Sequence, residues 1–205
     1  MEKLIASALC SFARLLTGVQ ALWQEDMSAP RQRVYFANHR SHGDFVLIWA
    51  SLPPYLRART RPVAGADYWL TGGLRQYFAT KVFRSVLVDR SSASFSSNPL
   101  KQMTEALAGG DSLIIFPEGT RNLGEGLQAF KRGIFHLANA HPAVDFVPVW
   151  IENLGRVMPK GTLIPVPLLC SLRFGKALHL APGEDKEAFL ERARKALLDL
   201  APPAD

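Results

Sequence analysis

The run NHRSHGD at residues 38–44 brings together side chains that can move a proton. His39 and Asp44 lie five positions apart, directly after the apolar stretch VYFA. A neutral imidazole is the commonest proton acceptor near neutral pH, and a nearby carboxylate fixes its tautomer and stabilises the imidazolium that forms. The pair therefore predicts a general base that takes a proton from a hydroxyl group. The same spacing occurs by chance in many proteins, so on its own it identifies no reaction.

A second polar block, FPEGTR at residues 116–121, directly follows an apolar strand-like stretch. Ligands of open α/β sheets bind beyond the carboxyl ends of the strands. Gly119 permits a close backbone approach or a positive φ angle, and the planar guanidinium of Arg121 suits phosphate oxygens. Glu118 has acceptors for a polyol or for an arginine. The alternative is an ordinary turn with a surface ion pair, because Pro-Glu-Gly is common turn chemistry.

Two further cations, Arg90 and Lys131, belong to short motifs elsewhere in the chain. Arg90 ends the strand-like stretch VLVDR, and Lys131 lies in the short motif FKRG at residues 130–133. Arg90 is thus expected at the carboxyl end of the sheet, and Lys131 in a basic patch early in the next helix. When each is considered alone, a solvated charge at a strand end or on a helix face is the commoner explanation.

Composition limits the class of protein. The chain has 205 residues, 48% of them hydrophobic, which is enough for one α/β domain with a well-buried core. Cys10 and Cys170 are the two cysteines, and they have neither metal-ligand spacing nor a disulfide-rich pattern. We therefore expect a reducing compartment and no metal, although a single disulfide is compatible with the sequence.

Strand-like and helix-like segments alternate along the chain. The predicted strands are residues 33–37, 61–64, 85–88, 112–116, 145–151 and 172–180. The predicted helices are residues 43–52, 67–80 with a bend near Gly72 and Gly73, 99–108, 128–140 and 184–200, and residues 91–97 and 152–169 are predicted to be irregular. The alternation predicts one α/β domain with a mostly parallel central sheet flanked by helices. Pro148 predicts an edge position or a local distortion of its strand.

This arrangement also constrains the histidine and the carboxylate. Five positions along an α-helix rotate through about 500°, so His39 and Asp44 cannot share one helix face. We expect His39 on the turn after the first predicted strand of the sheet and Asp44 in the first turn of the following helix. Ser41, between them, is expected to cap the helix or to bond within the loop.

The N-terminal residues 4–23 are about long enough to span a bilayer, but Arg14 at the centre of the segment is costly in hydrocarbon. Apolar residues at near-helical intervals form a stripe, namely Ile5, Leu9, Phe12, Leu16, Val19 and Trp23. The pattern predicts an amphipathic helix over residues 1–24 that lies in a membrane interface, followed by one domain over residues 25–205. No signal-peptide cleavage site is recognisable. The alternative is a helix that packs its stripe on the core.

Charge is distributed unevenly. The net charge of the chain is +6, whereas residues 31–101 alone carry +8 and the remainder carries −2. The asymmetry favours an anionic partner, either a membrane surface or a phosphorylated substrate. Nucleic acid is not expected, because its usual recognition motifs are missing from the sequence. The alternative is a solvated basic face.

The blocks together resemble the glycerolipid acyltransferases, the family of 1-acylglycerol-3-phosphate acyltransferases. The first block of that family reads Asn-His-x-Ser-x-x-Asp, and this chain matches it at Asn38, His39, Ser41 and Asp44. The third block, Phe-Pro-Glu-Gly-Thr-Arg, is matched throughout residues 116–121. The strand that ends at Arg90, the FKRG motif and residues 147–149 are similar to the remaining elements, although the glycine that often precedes the arginine of the second block is missing here.

The resemblance implies transfer of a fatty acyl group from a thioester to a glycerolipid hydroxyl. His39 would be the base, and Asp44 would orient it. The acceptor would be bound by Arg90, Glu118, Gly119, Thr120, Arg121 and Lys131. Neither a metal nor a cofactor is implied, since the acyl donor is a co-substrate, either acyl-CoA or an acyl-carrier protein. The sequence offers no Ser or Cys nucleophile with supporting residues, so we expect direct attack without an acyl-enzyme.

Several alternatives remain open. The preferred acceptor is 1-acylglycerol-3-phosphate, which would give phosphatidic acid, but glycerol-3-phosphate, another lysophospholipid or a lyso-aminolipid would suit the same chemistry. Thioester hydrolysis and lipid binding without catalysis are the alternatives to transfer. If the acceptor is amphiphilic, the N-terminal helix and the basic segment would both dock the protein on the membrane surface from which the acceptor enters the site. We therefore expect a peripheral protein bound to anionic lipids on the cytoplasmic face of a membrane.

Overall fold

The computed structural model describes residues 2–26, 29–41, 43–89, 99–122, 124, 126–152 and 169–203. Within these ranges the strands are β1 (Gln20–Trp23), β2 (Arg33–Ala37), β3 (Thr60–Gly65), β4 (Val86–Val88), β5 (Ser112–Ile115), β6 (Asp145–Glu152) and β7 (Ser171–Phe174). The helices are α1 (Glu2–Thr17), α2 (Asp44–Ser51), α3 (Pro54–Arg57), α4 (Ala66–Trp69), α5 (Gly73–Tyr77), α6 (Pro99–Ala108), α7 (Gly133–Ala140) and α8 (Lys186–Leu198), with a π-helical turn at Phe78–Val82. Arg90, the predicted loop at 91–97 and most of the irregular segment at 152–169 lie outside the described residues.

The described strands form one seven-stranded sheet in the order β1-β7-β6-β2-β5-β3-β4. Neighbouring strands are parallel throughout, except that β7 runs antiparallel to β6. Residues of β2 pair with β6 on one side and β5 on the other, for example Tyr35 with Val147 and with Ile114. The predicted α/β class with a mostly parallel sheet is therefore confirmed.

Helices cover both faces of the sheet, as the alternation of side chains along β2 illustrates. All five residues of β2 are buried. Tyr35 and Ala37 enter a core shared with α1 and α2, whereas Val34 and Phe36 enter a second core shared with α6, α7 and α8. A strand buried on both faces reads as a continuous apolar run, which explains the clear strand signal of this segment.

The five strands β2, β3, β4, β5 and β6 run in the same direction, so their carboxyl ends meet at one edge of the sheet. The turn that carries His39 follows β2 at this edge, α4 follows β3, and Phe116 follows β5. Residues that are distant in sequence are thereby brought to one place, where ligands of such sheets bind.

Pro148 does not mark an edge strand, because β6 lies between β2 and β7. It marks the local distortion that was the other expectation. Val149 pairs with Phe174, and the next antiparallel pair is Phe146 with Leu178. Two residues of β6 therefore face three on the partner segment, a bulge at the position where proline has no N–H to donate. The strand predicted over residues 172–180 ends for the same reason at Phe174.

The predicted N-terminal helix is wrong in its last part. The helix α1 ends at Thr17, Gly18 adopts a positive φ of 52°, and β1 follows as the edge strand paired with β7. Trp23 stacks on Phe174 with ring centroids 3.6 Å apart, so this end of the stripe lies inside the domain. The predicted boundary at residue 24 therefore falls after a strand of the sheet. Among the described residues, no helix is long and apolar enough to cross a membrane.

Two other predicted helices also differ. The helix predicted over 128–140 begins at Gly133, because the backbone N–H groups of Gln128 and Lys131 bond to Glu118 and to the carbonyl of Pro117 instead. The helix predicted over 67–80 is interrupted near Gly72, as expected, and differs in its last part, which is a π-helical turn. Both differences lie beside the carboxyl edge of the sheet.

Candidate active site

His39 and Asp44 are joined across the turn between β2 and α2. The Nδ1 atom of His39 is 2.8 Å from Oδ2 of Asp44. Asp44 is the first residue of α2 and His39 is the second residue after β2, which is the predicted placement. The same Oδ2 atom accepts the backbone N–H groups of Arg40 at 2.7 Å and Ser41 at 2.8 Å. Three donors therefore fix the position of the carboxylate, and its two bonds to the backbone stabilise the turn.

This geometry defines which imidazole nitrogen is available for chemistry. A carboxylate accepts hydrogen bonds and cannot donate them, so Nδ1 of His39 carries the shared proton. Nε2 is then the unprotonated acceptor. The ring lies against Phe116 at a centroid distance of 4.1 Å and an interplanar angle of 17°, which limits its rotation. Only 1% of the Asp44 side chain is exposed against 15% of His39, so the acid is buried behind the base.

Glu118 links the first and third sequence blocks. Its Oε1 accepts the backbone N–H of His39 at 2.8 Å, and its Oε2 accepts that of Gln128 at 3.1 Å. Only 1% of Glu118 is exposed. Both oxygens are taken by backbone donors and Glu118 does not line the cavity described below, so its expected contact with an acceptor stays a prediction. Glu118 positions the backbone beside the base, and Asn122 adds a bond from its N–H to the carbonyl of His39 at 2.7 Å.

The other predicted binding residues surround the turn after β5. Gly119 has a φ of +77°, and a methyl group placed on it would lie 3.2 Å from Cγ of Lys131, so the lysine stem crosses this glycine. Arg121 is half-buried, with no hydrogen bond or ion pair to any described residue, and Thr120 is exposed. Lys131 and Arg121 thus flank the turn as available cations. Arg90, the remaining predicted cation, lies outside the described residues.

A largely apolar cavity of about 350 Å³ opens beside the imidazole. Its polar side chains are those of His39 and Lys131. The rest of the wall comes from the carboxyl ends of β3, β4 and β5 and from α2, α4, α6 and α7, and includes Phe45, Val63, Trp69, Val88, Met103, Phe116, Ile134 and Leu137. A hydrocarbon chain fits such a wall, since most small-molecule sites combine apolar lining with few polar groups.

Sequence reasoning missed the structural role of Asn38. Its Nδ2 donates to the carbonyl of Ile151 at 2.9 Å, and its Oδ1 accepts the N–H of Ile151 at 2.8 Å. The side chain thus imitates a paired strand residue and fastens the end of β2 to β6. The identity of Asn38 within the first block was visible, but its partner lies 113 positions away. Asn122 and Phe116, which contact His39, and Gln128, which contacts Glu118, were likewise given no role, since these contacts depend on tertiary folding.

In the described part of the chain, no three His, Cys, Asp or Glu side chains cluster as ligands of a metal ion would. The two cysteines are buried and are not joined in a disulfide. The carboxyl edge of the sheet presents an oriented imidazole, two nearby cations and an apolar cavity.

Comparisons with known proteins show which proteins this chain is similar to. The chain is 28% identical over 192 residues to a 1-acyl-sn-glycerol-3-phosphate acyltransferase of Chlamydomonas reinhardtii, covering 90% of this chain and 53% of the relative. It is 31% identical over 127 residues to the enzyme of that name from Escherichia coli, covering 58% of this chain and 46% of the relative. The human alpha form is 31% identical over 123 residues, covering 58% and 40%. The chain thus spans about half the length of the curated relatives it matches.

The fold also has a solved counterpart. The crystal structure of the 1-acyl-sn-glycerophosphate (LPA) acyltransferase PlsC from Thermotoga maritima matches with a TM-score of 0.75 and 18% identity, covering 95% of this chain and 76% of that one. At this identity the match supports the fold alone. The family model Acyltransferase matches residues 22–152, which is more than half of the chain and contains every predicted site residue. The protein therefore belongs to the Acyltransferase family.

Proposed function

We propose that the protein transfers a fatty acyl group from a thioester to the free hydroxyl of a lysophospholipid, with 1-acylglycerol-3-phosphate as acceptor and phosphatidic acid as product. The observation that carries the proposal is the imidazole of His39, oriented by a buried carboxylate at 2.8 Å and lining an apolar cavity. Several relatives are named 1-acyl-sn-glycerol-3-phosphate acyltransferases, which supports the choice of acceptor.

In the proposed mechanism, His39 acts directly on the acceptor. Nε2 takes the hydroxyl proton as the oxygen attacks the thioester carbonyl, and Asp44 stabilises the imidazolium. The tetrahedral intermediate then collapses, the C–S bond breaks, and the imidazolium returns the proton to the departing thiolate. Direct attack without an acyl-enzyme is supported by the placement of the candidate nucleophiles. The hydroxyl of Ser41 accepts the N–H of Gly43 at 3.2 Å and is buried. Cys10 and Cys170 are buried as well.

Binding of the acceptor is assigned to the cations beside the turn after β5. Lys131 lines the cavity together with His39, so one molecule can place its phosphate near the ammonium and its hydroxyl near Nε2. Arg121 offers a second phosphate ligand, and we retain Arg90 and Thr120 as proposed contributors. Gly119 allows the lysine stem to lie close to the backbone. The apolar wall would hold a hydrocarbon chain.

Membrane association is proposed to involve α1, whose two faces differ. Cys10 and Ala13 are buried against the domain, while Leu4, Phe12 and Leu15 are 75%, 61% and 86% exposed. An exposed apolar helix face favours a membrane interface. We propose that the protein is peripheral, on the cytoplasmic face and bound to anionic lipids. Because β1 belongs to the sheet, the appropriate test is substitution of the three exposed residues by serine rather than deletion of the first 23 residues.

The function is tested by an acyl-transfer assay with purified protein, acyl-CoA and acyl-carrier-protein donors, and a panel of acceptors. The panel contains 1-acylglycerol-3-phosphate, glycerol-3-phosphate, other lysophospholipids and a lyso-aminolipid. Transfer to the first, reduced about 10²–10⁴-fold in His39→Ala, is expected. Transfer only to another member of the panel would overturn the proposed identity of the acceptor. Release of free fatty acid without an acceptor would indicate hydrolysis, and binding without turnover would indicate a lipid-binding protein.

A further inference from the structure

The connection between β3 and the π-helical turn projects from the carboxyl edge of the sheet. We call residues 68–75, YWLTGGLR, the α4–α5 tip. Every residue from 70 to 76 is exposed, and Leu70 and Leu74 are 46% and 73% exposed. Side chains placed on Gly72 or Gly73 would meet nothing within 4 Å. An exposed leucine does not stabilise the fold, so two of them at the end of one projecting segment point to a contact with something other than water.

The base of the tip is rigidly packed and aromatic. Trp69 contacts Phe45 at a centroid distance of 5.5 Å and Phe83 at 6.4 Å. Tyr68 contacts Trp69 at 5.5 Å and carries the guanidinium of Arg75 at 4.7 Å over its ring. Leucines at the end, Trp and Tyr at the base and a cation beside them form the composition found where proteins meet the boundary between water and lipid.

The same edge of the sheet is cationic at its surface. Arg40, Lys131 and Arg132 are exposed there in addition to Arg75. Asp67 is the acidic residue of α4, whereas Asp44 and Glu118 are buried. An anionic lipid surface is complementary to this arrangement, because each cation near such a surface adds to the attraction while the leucines enter the acyl region.

We propose that the α4–α5 tip inserts Leu70 and Leu74 into an anionic lipid surface and that Trp69 forms the lipid-facing rim of the cavity. The proposal rests on the proposed function, since it supplies the route by which an amphiphilic acceptor reaches His39. Trp69 lines the cavity and immediately precedes Leu70 in the chain. A hydrocarbon chain can therefore pass from lipid to cavity along apolar side chains. The tip is a different segment from α1, which packs on α2 and on the π-helical turn that follows the tip.

Insertion can be measured directly with an environment-sensitive fluorophore on Leu74→Cys. The native thiols do not compete, because Cys10 and Cys170 are 4% and 1% exposed. Leu22→Cys is the matched control, since Leu22 is a 52% exposed leucine on β1, the opposite edge strand of the sheet. Its neighbours Ala21 and Trp23 pack into the core beneath α1 and α2, so the side chain of Leu22 points to the other face.

With vesicles of phosphatidylglycerol and phosphatidylcholine, the label at position 74 is expected to shift to the blue and to lose quenching by aqueous iodide, while the label at position 22 does neither. A label at 74 that stays fully quenched in the presence of vesicles overturns the proposal. So does a blue shift that rises with protein concentration without vesicles, because it would identify a second copy of the chain as the occupant.

The functional consequence is tested with the double variant Leu70→Ser and Leu74→Ser. We expect at least an about tenfold loss of transfer to an acceptor embedded in vesicles, since the serines remove the apolar area that enters the lipid. Transfer to a short-chain acceptor dissolved as a monomer is expected to stay within about twofold, because neither leucine lines the cavity. An equal loss with both acceptors overturns the proposal. Insertion of label 74 in a protein that transfers no acyl group would overturn the proposed function and leave the docking surface intact.

Discussion

The Nδ1 atom of His39 and the Oδ2 atom of Asp44 lie 2.8 Å apart across a strand-to-helix turn, and the same oxygen binds two backbone N–H groups of that turn. Asp44 thus performs two tasks with one atom. It fixes the tautomer of the base, and it holds the backbone that carries the base. Orientation and local folding are therefore coupled at this residue.

Asp44→Asn separates these tasks. The carbonyl of an asparagine can still accept the donors of the turn, but it provides no negative charge to stabilise an imidazolium. We expect kcat to fall by about 10²–10⁴ with a smaller change in KM, because the charge matters most in the transition state. Steady-state kinetics measure the effect, with Asp199→Asn on the surface as the control. A variant of unchanged kcat would remove Asp44 from the mechanism.

Glu118 is expected to act through the backbone rather than on the substrate. In Glu118→Gln one of its two acceptor oxygens becomes an NH₂ group, which leaves the N–H of either His39 or Gln128 without its partner. Loss of one buried hydrogen bond costs about 1–3 kcal/mol in free energy of unfolding. Chemical denaturation measures this cost, with the exposed Glu191→Gln as the control. Unchanged stability with a raised KM would instead favour direct contact with the acceptor.

Much of the fold was readable because local signals agreed with the tertiary structure. The strand β2 and the helix α6 have the predicted bounds, Arg33–Ala37 and Pro99–Ala108. The first is a continuous apolar run, and the second begins with proline and ends before two glycines. The end of α1 could not be predicted from the sequence in this way. Val19 and Trp23 are four positions apart, which satisfies both a helix face and the alternation of a strand.

The site was predictable as a set of residues but not as a set of roles. The motif positions His39 and Asp44 indicated a pair, and the structure joins them. Glu118 was expected to accept hydrogen bonds from a polyol or from an arginine. Its burial depends on donors at His39 and Gln128, and the first of these lies 79 positions away in the chain. No local pattern encodes such a contact.

Gly119 is expected to control the position of Lys131. Alanine at this position would strain a backbone with a φ of +77°, and its methyl group would lie 3.2 Å from Cγ of the lysine. Gly183→Ala is a close control, because its φ is +75° and nothing lies within 4 Å of the added methyl group. Each variant should lose about 1–2 kcal/mol of stability through the backbone. A raised KM for the phosphorylated acceptor is expected in Gly119→Ala alone, and equal KM values would contradict this role for the lysine.

The two cysteines should be inert in the folded protein. Burial, with smaller contributions from Asp44 and Glu152, raises the pKa of the Cys170 thiol to about 11. Burial also raises the pKa of Cys10. Because the thiolate is the reactive form, iodoacetamide at pH 8 should modify neither residue until a denaturant is added. Mass spectrometry of the alkylated protein checks this. Rapid modification of either native thiol would disagree with its burial in the core.

The ion pair between Glu184 and Arg192 predicts a pH-dependent contribution to stability. Arg192 Nε and Nη2 donate to the two carboxylate oxygens of Glu184 at 2.7 and 2.6 Å, and these bonds hold the pKa of Glu184 below its usual 4.5. A lowered pKa in the folded state means that the stabilisation is complete above the unfolded value and is lost as the pH falls through the folded value. Partial exposure of the pair limits the contribution to about 1 kcal/mol. We therefore expect Glu184→Gln to be less stable than the parent at pH 7, with the difference in stability shrinking below pH about 4.5. Urea unfolding across this pH range measures the difference. A difference that stays constant with pH would show that the pair contributes through packing rather than charge.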